Sequence, residues 1–203
     1  MSVYRRFNTV EFPSLLTTSL ADRRALFNSP TAARMFIEVL YEVRSETAFH
    51  LLAFVVMPDH MHLVLGPPAS RRLAQVLQLV KGRFSRRYNA KTGRSGPLWQ
   101  SRYHERTLRS EDELFAAIEY VHRNPVAAGL TREASVFPWS SASGEYATDL
   151  AMYLSQANGH QEIIFTFSRL WLSSCRASAL PNGAATGRPE GLQLRRFGAK
   201  LFC

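Results

Sequence analysis

The sequence predicts an α+β fold, an antiparallel sheet with helices packed on it, on three observations. First, a Pro58-Asp59 pair separates an apolar run ending at Met57 from a second run, His60 to Leu65. That is the pattern of a β-hairpin, because Pro presets φ and Asp bonds its own backbone. Second, apolar residues recur at helical spacing on both sides of the hairpin, at Met35, Phe36, Val39, Leu40 and Val43, then at Leu73, Val76, Leu77, Val80, Phe84 and Tyr88. Third, Ser110-Glu111-Asp112-Glu113 is a capping box, in which the hydroxyl takes a first-turn amide and the glutamate reaches back.

In chain order, residues 12 to 20 read as a first strand whose start Pro13 blurs. Asn28-Ser29-Pro30 caps a helix from Pro30 to Ser45. Strands follow at His50 to Met57 and His60 to Leu65, closed by Gly66-Pro67-Pro68. Ser70 is expected to cap the second helix, Asn89 to Pro97 to form a loop, and Trp99 to Leu108 a fourth strand. The third helix starts at the capping box and is expected to end near Asn124, because the residue before Pro125 avoids helical geometry. The order β, α, β, β, α, β, α is that of a ferredoxin-like split βαβ sandwich with one helix added. The His60 strand then lies inside the sheet.

The chain has 203 residues, enough for one core, and carries a formal charge of +9. Between Arg71 and Arg109 there are 11 Lys or Arg against a single acid, Glu105. All the excess charge falls in that block, which favours a phosphate-tracking surface and nucleic acid as the partner. Within it, Lys81, Arg83, Arg86, Arg87, Arg102 and Arg106 are the candidate DNA-binding cations, with Trp99 as an aromatic on which bases stack. The same Trp99 equally suits a core position. Cys175 and Cys203 are too few for a disulfide framework, and no run approaches membrane-spanning length, so a cytoplasmic protein without membrane contact is expected. No Gly-rich loop with a following Lys-Ser or Lys-Thr points to ATP.

Side chains alternate along a strand, so His60 and His62 share one face of theirs. Neutral imidazoles two apart can converge on a divalent metal, although a His-x-His is also compatible with a plain polar face. On the third helix, Tyr120 lies about 120° from the centre of the Leu114, Ala117, Ile118 and Val121 stripe at 100° per residue. Asn124 follows four residues on, one turn above the phenol on the same side. If that side faces the histidines, a phenol and an amide oxygen meet the metal.

Met57-Pro58-Asp59-His60-Met61-His62, Gly96-Pro97-Leu98-Trp99-Gln100, Tyr103-His104-Glu105-Arg106, Glu119-Tyr120-Val121-His122-Arg123-Asn124-Pro125-Val126 and Pro138-Trp139-Ser140-Ser141 resemble, in order, segments of the REP-associated tyrosine transposases. These belong to the HUH single-tyrosine, IS200-like transposases. The resemblance spans roughly residues 12 to 142. It implies a nuclease core that recognises a single-stranded DNA hairpin of REP type and cuts beside it. It further implies Tyr120 as nucleophile, His60 and His62 as metal ligands and Asn124 as third ligand, where related enzymes often carry glutamine. Mg²⁺ or Mn²⁺ is the implied metal, while the ligand chemistry alone also tolerates Zn²⁺. The proton acceptor stays open among His104, Glu105 and His122.

Two rival functions remain. One is a non-catalytic single-stranded nucleic-acid-binding protein on the same scaffold; the other is a metal-dependent hydrolase that uses water. Lys81-Gly82-Arg83-Phe84 looks like the start of an RNA-binding signature but falls in a helix. Residues 1–146 are expected to form the transposase domain, as a monomer or homodimer, and 147–203 an extension. In that extension Ile163 to Leu172 is apolar and Ala177 to Gly191 reads as flexible.

Overall fold

The computed structural model describes residues 12–68 and 72–158. Within them run β1 (Ser14–Ser19), α1 (Pro30–Thr47), β2 (Leu51–Val56), β3 (His60–Leu65), α2 (Leu73–Thr92), β4 (His104–Thr107), α3 (Glu111–Ala127) and α4 (Leu150–Asn158). The sheet order is β2-β3-β1-β4, with every neighbouring pair antiparallel. This is the α+β sandwich expected of the element order. Ser70 and the segments 163–172 and 177–191 lie outside the described residues, and the N-cap position of α2 falls on Arg72 rather than, as expected, on Ser70.

Local chemistry accounts for most boundaries. Pro30 occupies the first turn of α1, where its missing N–H costs nothing. Gly93, at φ +67, ends α2 in the left-handed conformation that an L side chain resists, so α2 runs four residues past Tyr88 before it stops. The Ser110 hydroxyl caps α3 as expected, accepting from the Glu113 amide at 3.2 Å, but Glu113 reaches one residue past the cap, its Oε2 accepting from the Arg109 amide at 2.8 Å, so the reciprocal half of the box is displaced. Ser110→Ala is therefore expected to destabilise the protein by about 1 kcal/mol, read as a lower urea midpoint with unchanged slope.

Two boundaries differ from the sequence pattern. α3 does not stop at Asn124 but passes through Pro125 to Ala127. Pro125 lies near the end of the helix, and the Ala128 amide still closes the last turn on Asn124 O at 3.0 Å. The fourth strand is short. β4 pairs with β1 only over His104–Thr107; the residues before it bulge and meet the end of β1 in a single bridge, Trp99 opposite Leu20, closed by the Ala21 amide on Leu98 O and the Gln100 amide on Ser19 O.

Alternation along the strands builds two cores. Leu16, Met61, Leu63 and Leu65 face α1 and α2, where Phe36, Val39, Leu40, Val76, Val80 and Phe84 are buried. Val55 and Val64 face the other way, against Leu114, Ala117 and Val121 of α3 and Tyr153 and Leu154 of α4. β2 is buried along its whole length because both faces are covered. The added helix α3 thus packs on the sheet face opposite α1 and α2. Since His60 and His62 share parity with Val64, they point toward α3. No helix among the described residues is long and apolar enough to cross a membrane.

Candidate active site

Strand register assembles the site. Thr17 is the direct partner of His62 on one side and of His104 on the other, so the three side chains form a row across β3, β1 and β4 on the α3 face. Ser19 likewise stands opposite His60. Above this row, Tyr120 of α3 sets its ring edge-on to the His62 imidazole, with centroids 5.2 Å apart. The His60 and His62 rings are 4.9 Å apart, nearly perpendicular. Tyr120 is 51% exposed, an open phenol for a helix that buries its neighbours Ile118 and Val121. Asn124 stays helical because α3 continues past it, and it lines the same cleft of about 310 Å³ as His60, His62, Tyr120, Arg102 and His104.

Each histidine has its Nδ1 occupied. Asp59 Oδ1 accepts from His60 Nδ1 at 2.6 Å, since an ionised carboxylate only accepts. His62 Nδ1 and Thr17 Oγ1 share a hydrogen bond of 2.8 Å. Among the described residues neither Nε2 has a hydrogen-bond partner, which leaves both for a ligand. Burial, with the nearby His60 as the second cause, pushes the His62 pKa down to about 4, so this ring is neutral at pH 7 as a metal ligand must be. For Asp59, burial pushes the carboxyl up, but the hydrogen bond and charge of His60 and the Arg23 pair outweigh it and hold the group below its ordinary value. The described residues contain no cluster of three His, Cys, Asp or Glu suited to a metal. The cleft offers two imidazoles, to which Asn124 on its lining could add an amide oxygen. That set fits a divalent ion with open positions, and Asp59 and Thr17 orient the rings from behind.

The three acid-base candidates separate. His104 lines the cleft with Tyr120. Glu105 points to the opposite face of β4, where Tyr103 Oη donates to its Oε2 at 3.4 Å. His122 is turned inward, its Nε2 hydrogen-bonded to Ser141 Oγ at 2.9 Å, with its pKa pushed down to about 4 by burial. Because the unfolded chain takes up a proton near pH 6.5 and the folded one only near 4, His122 contributes stability above pH 6.5 that is lost as the pH falls through that window. His122→Gln, which keeps a partner for Ser141, is expected to recover about 2–3 kcal/mol of the loss between pH 7 and 4.5, measured by urea unfolding at both pH values.

The candidate DNA-binding residues scatter. Arg102 lines the cleft, and Arg106 faces the same side of the sheet through its pairing with Leu15. Lys81, Arg83, Arg86 and Arg87 all sit on α2, across the sheet from Tyr120. Arg83 and Arg87 hold Glu46 and Glu42 of α1, and Lys81 Nζ donates to Gln100 O at 3.0 Å. Trp99 is no exposed stacking surface. It is 9% exposed among Phe27, Phe36 and Phe84, and its indole N–H donates to Lys81 O. Sequence reasoning missed Thr17 and Arg23. Only knowledge of the β1–β3 register would have pointed to Thr17, whereas Asp59 stood in plain view beside His60.

Residues 16–124 match the family described as Transposase IS200 like. The chain belongs to the IS200-like transposase family. The matched span runs from β1 to Asn124 and so contains the whole cleft triad and the phenol. This IS200-like transposase is 26% identical over 170 residues to the REP-associated tyrosine transposase of Escherichia coli (strain K12), across 81% of this chain and 99% of that one. It also superposes on a solved REP-associated tyrosine transposase bound to a REP hairpin, with a TM-score of 0.57, 26% identity, and coverage of 74% of this chain and 93% of that chain. Family membership makes it a DNA-processing enzyme of the transposase type.

Proposed function

We propose that this transposase cuts and rejoins single-stranded DNA beside a REP-like hairpin through a 5′-phosphotyrosine intermediate, with Mg²⁺ or Mn²⁺ at His60, His62 and Asn124. One observation carries the reading: an exposed phenol, Tyr120, stands against the His62 imidazole and shares one cleft, built from a helix and a sheet, with His60 and the Asn124 amide. The hairpin as substrate rests on the ligand of the solved relative. Arg102 in the cleft and Arg106 on the same face of the sheet supply cations for a phosphate backbone there. We assign the catalytic unit to residues 1–146 and treat 147–203 as an extension, of which α4 packs against the α3 core.

In this mechanism Tyr120 Oη forms a bond to phosphorus as the bond to the 3′ oxygen breaks, and the phenolic proton is lost as the new bond forms. A divalent ion at the site supplies Lewis-acid stabilisation of the charge on the phosphate. Asp59 and Thr17 hold the imidazoles in register, and Arg102 draws the strand into the cleft. Since no water attacks, the ester is exchanged rather than hydrolysed, and a second 3′-OH can displace Tyr120 to join strands.

The decisive experiment incubates end-labelled hairpin oligonucleotides with the protein and resolves the products on a denaturing gel. The expected result is a protein adduct that carries a 3′-end label and releases a 5′-labelled strand ending in a 3′-OH. Binding without an adduct would return the protein to the non-catalytic reading. Cleavage without an adduct would point to water as the nucleophile.

A further inference from the structure

The ligand His60 is tied through Asp59 to a cation that no motif singles out. Asp59 uses its two oxygens separately, Oδ1 accepting from His60 Nδ1 at 2.6 Å and Oδ2 from Arg23 Nη1 at 3.2 Å. The inner bond is short and its partners are largely covered; the outer one is long, and its guanidinium is 62% exposed at the mouth of the cleft. An exposed pair of this kind is weakly held, and a DNA phosphate, with its oxygens spaced for a guanidinium fork, competes well for it. The backbone is shaped for the contact. Asp22 and Arg23 are successive non-glycine residues in the left-handed region, at φ 56 and 51, each costing about 1–2 kcal/mol. The strained turn is anchored on the metal-site hairpin by the Leu20 amide donating to Asp59 O at 2.8 Å.

We propose that Arg23 and Asp59 form a two-position relay behind His60. In the DNA-free protein Arg23 rests on Asp59; a phosphate entering the cleft takes the guanidinium, and the freed carboxylate makes His60 Nε2 a stronger ligand. Arg23 then contacts substrate, while Asp59 is a positioning residue. A carboxylate shared with a guanidinium draws less on the imidazole N–H than an unshared one, and the basicity of a ligating histidine follows that outer hydrogen bond. Metal and DNA affinity are thereby coupled, each raising the other. The relay rests on the metal reading above and goes beyond it.

Mn²⁺ titration of the full chain without DNA, followed by electron paramagnetic resonance, tests the relay apart from activity. Asp59→Asn keeps the backbone acceptor for Leu20 and is expected to weaken Mn²⁺ binding about 10- to 100-fold. Arg23→Gln is expected to tighten it about threefold or more, and to have no effect in the Asp59→Asn background, because it acts through that carboxylate. A tightening by Arg23→Gln that persists in that background would reveal direct charge repulsion and overturn the relay, as would unchanged binding by Asp59→Asn. His60→Ala separates the two layers. If it loses Mn²⁺ while Asp59→Asn does not, only the relay falls; if it binds Mn²⁺ like the wild type, the metal reading falls and the relay with it. In a Tyr120→Phe background, which holds DNA uncut, a single-stranded oligonucleotide is expected to raise Mn²⁺ affinity less in Arg23→Gln than with Arg23 present. An equal rise would remove the phosphate from the relay.

Discussion

Tyr120→Phe is expected to lower strand cleavage by about 10⁴-fold or more, equivalent to about 5 kcal/mol of transition-state stabilisation, and to abolish the covalent adduct. The change removes one oxygen and keeps the ring that packs edge-on against His62, so the cleft and its imidazoles stay in place. Tyr120 is half exposed, and its hydroxyl has no role in burying the α3 stripe, so folding should be unaffected within about 0.5 kcal/mol. Hairpin binding, measured by mobility shift at fixed salt, should persist. Loss of cleavage with retained binding isolates the chemical step. Cleavage by Tyr120→Phe at the wild-type rate would assign the nucleophile elsewhere.

Trp99→Ala is expected to destabilise the protein by about 3–5 kcal/mol, the range for truncating a large buried aromatic. The indole centroid lies 5.7 Å from Phe84, 5.8 Å from Phe36 and 6.0 Å from Phe27, and its N–H satisfies Lys81 O. Lys81 in turn places its ammonium over the ring, 5.7 Å from the centroid, and bonds Gln100 O, tying α2 to the chain that leads into the cleft. The residue therefore supports the site from below. Urea unfolding of Trp99→Ala against Arg102→Ala checks this: the first should shift the midpoint strongly. The second should leave it nearly unchanged while weakening DNA binding and reducing its salt dependence by about one phosphate contact. An unshifted midpoint for Trp99→Ala would restore the surface role.

Much of this was legible because it is local. β3 begins and ends where its alternation says, and the Ser110 cap starts α3. Boundaries failed where distant groups intervened. Trp99 keeps only a single bridge to β1, opposite Leu20, and its side chain joins an aromatic cluster contributed by α1, α2 and the turn before α1. Arg83 and Arg87 read as free cations because their partners, Glu46 and Glu42, lie 37 and 45 residues away. Pro125 did not end its helix, because the preference of the residue before a proline for extended backbone is a bias that the following turn outweighs, the Ala128 amide closing on Asn124 O and the Leu130 amide on Pro125 O.

The sequence alone determined which side chains travel together. A period of two puts His60 and His62 on one face of a strand, and a period of 3.6 puts Tyr120 and Asn124 on one side of a helix. It also concentrated the cations in one block and carried the family's segments in order. Only the tertiary structure decided that those two faces look at each other, that Thr17 backs His62 across a separation of 45 residues, and that Arg23 reaches Asp59. Backbone periodicity is a property of neighbouring residues, whereas the sheet order and the side on which α3 packs follow from burying two apolar faces at once, which involves the whole chain.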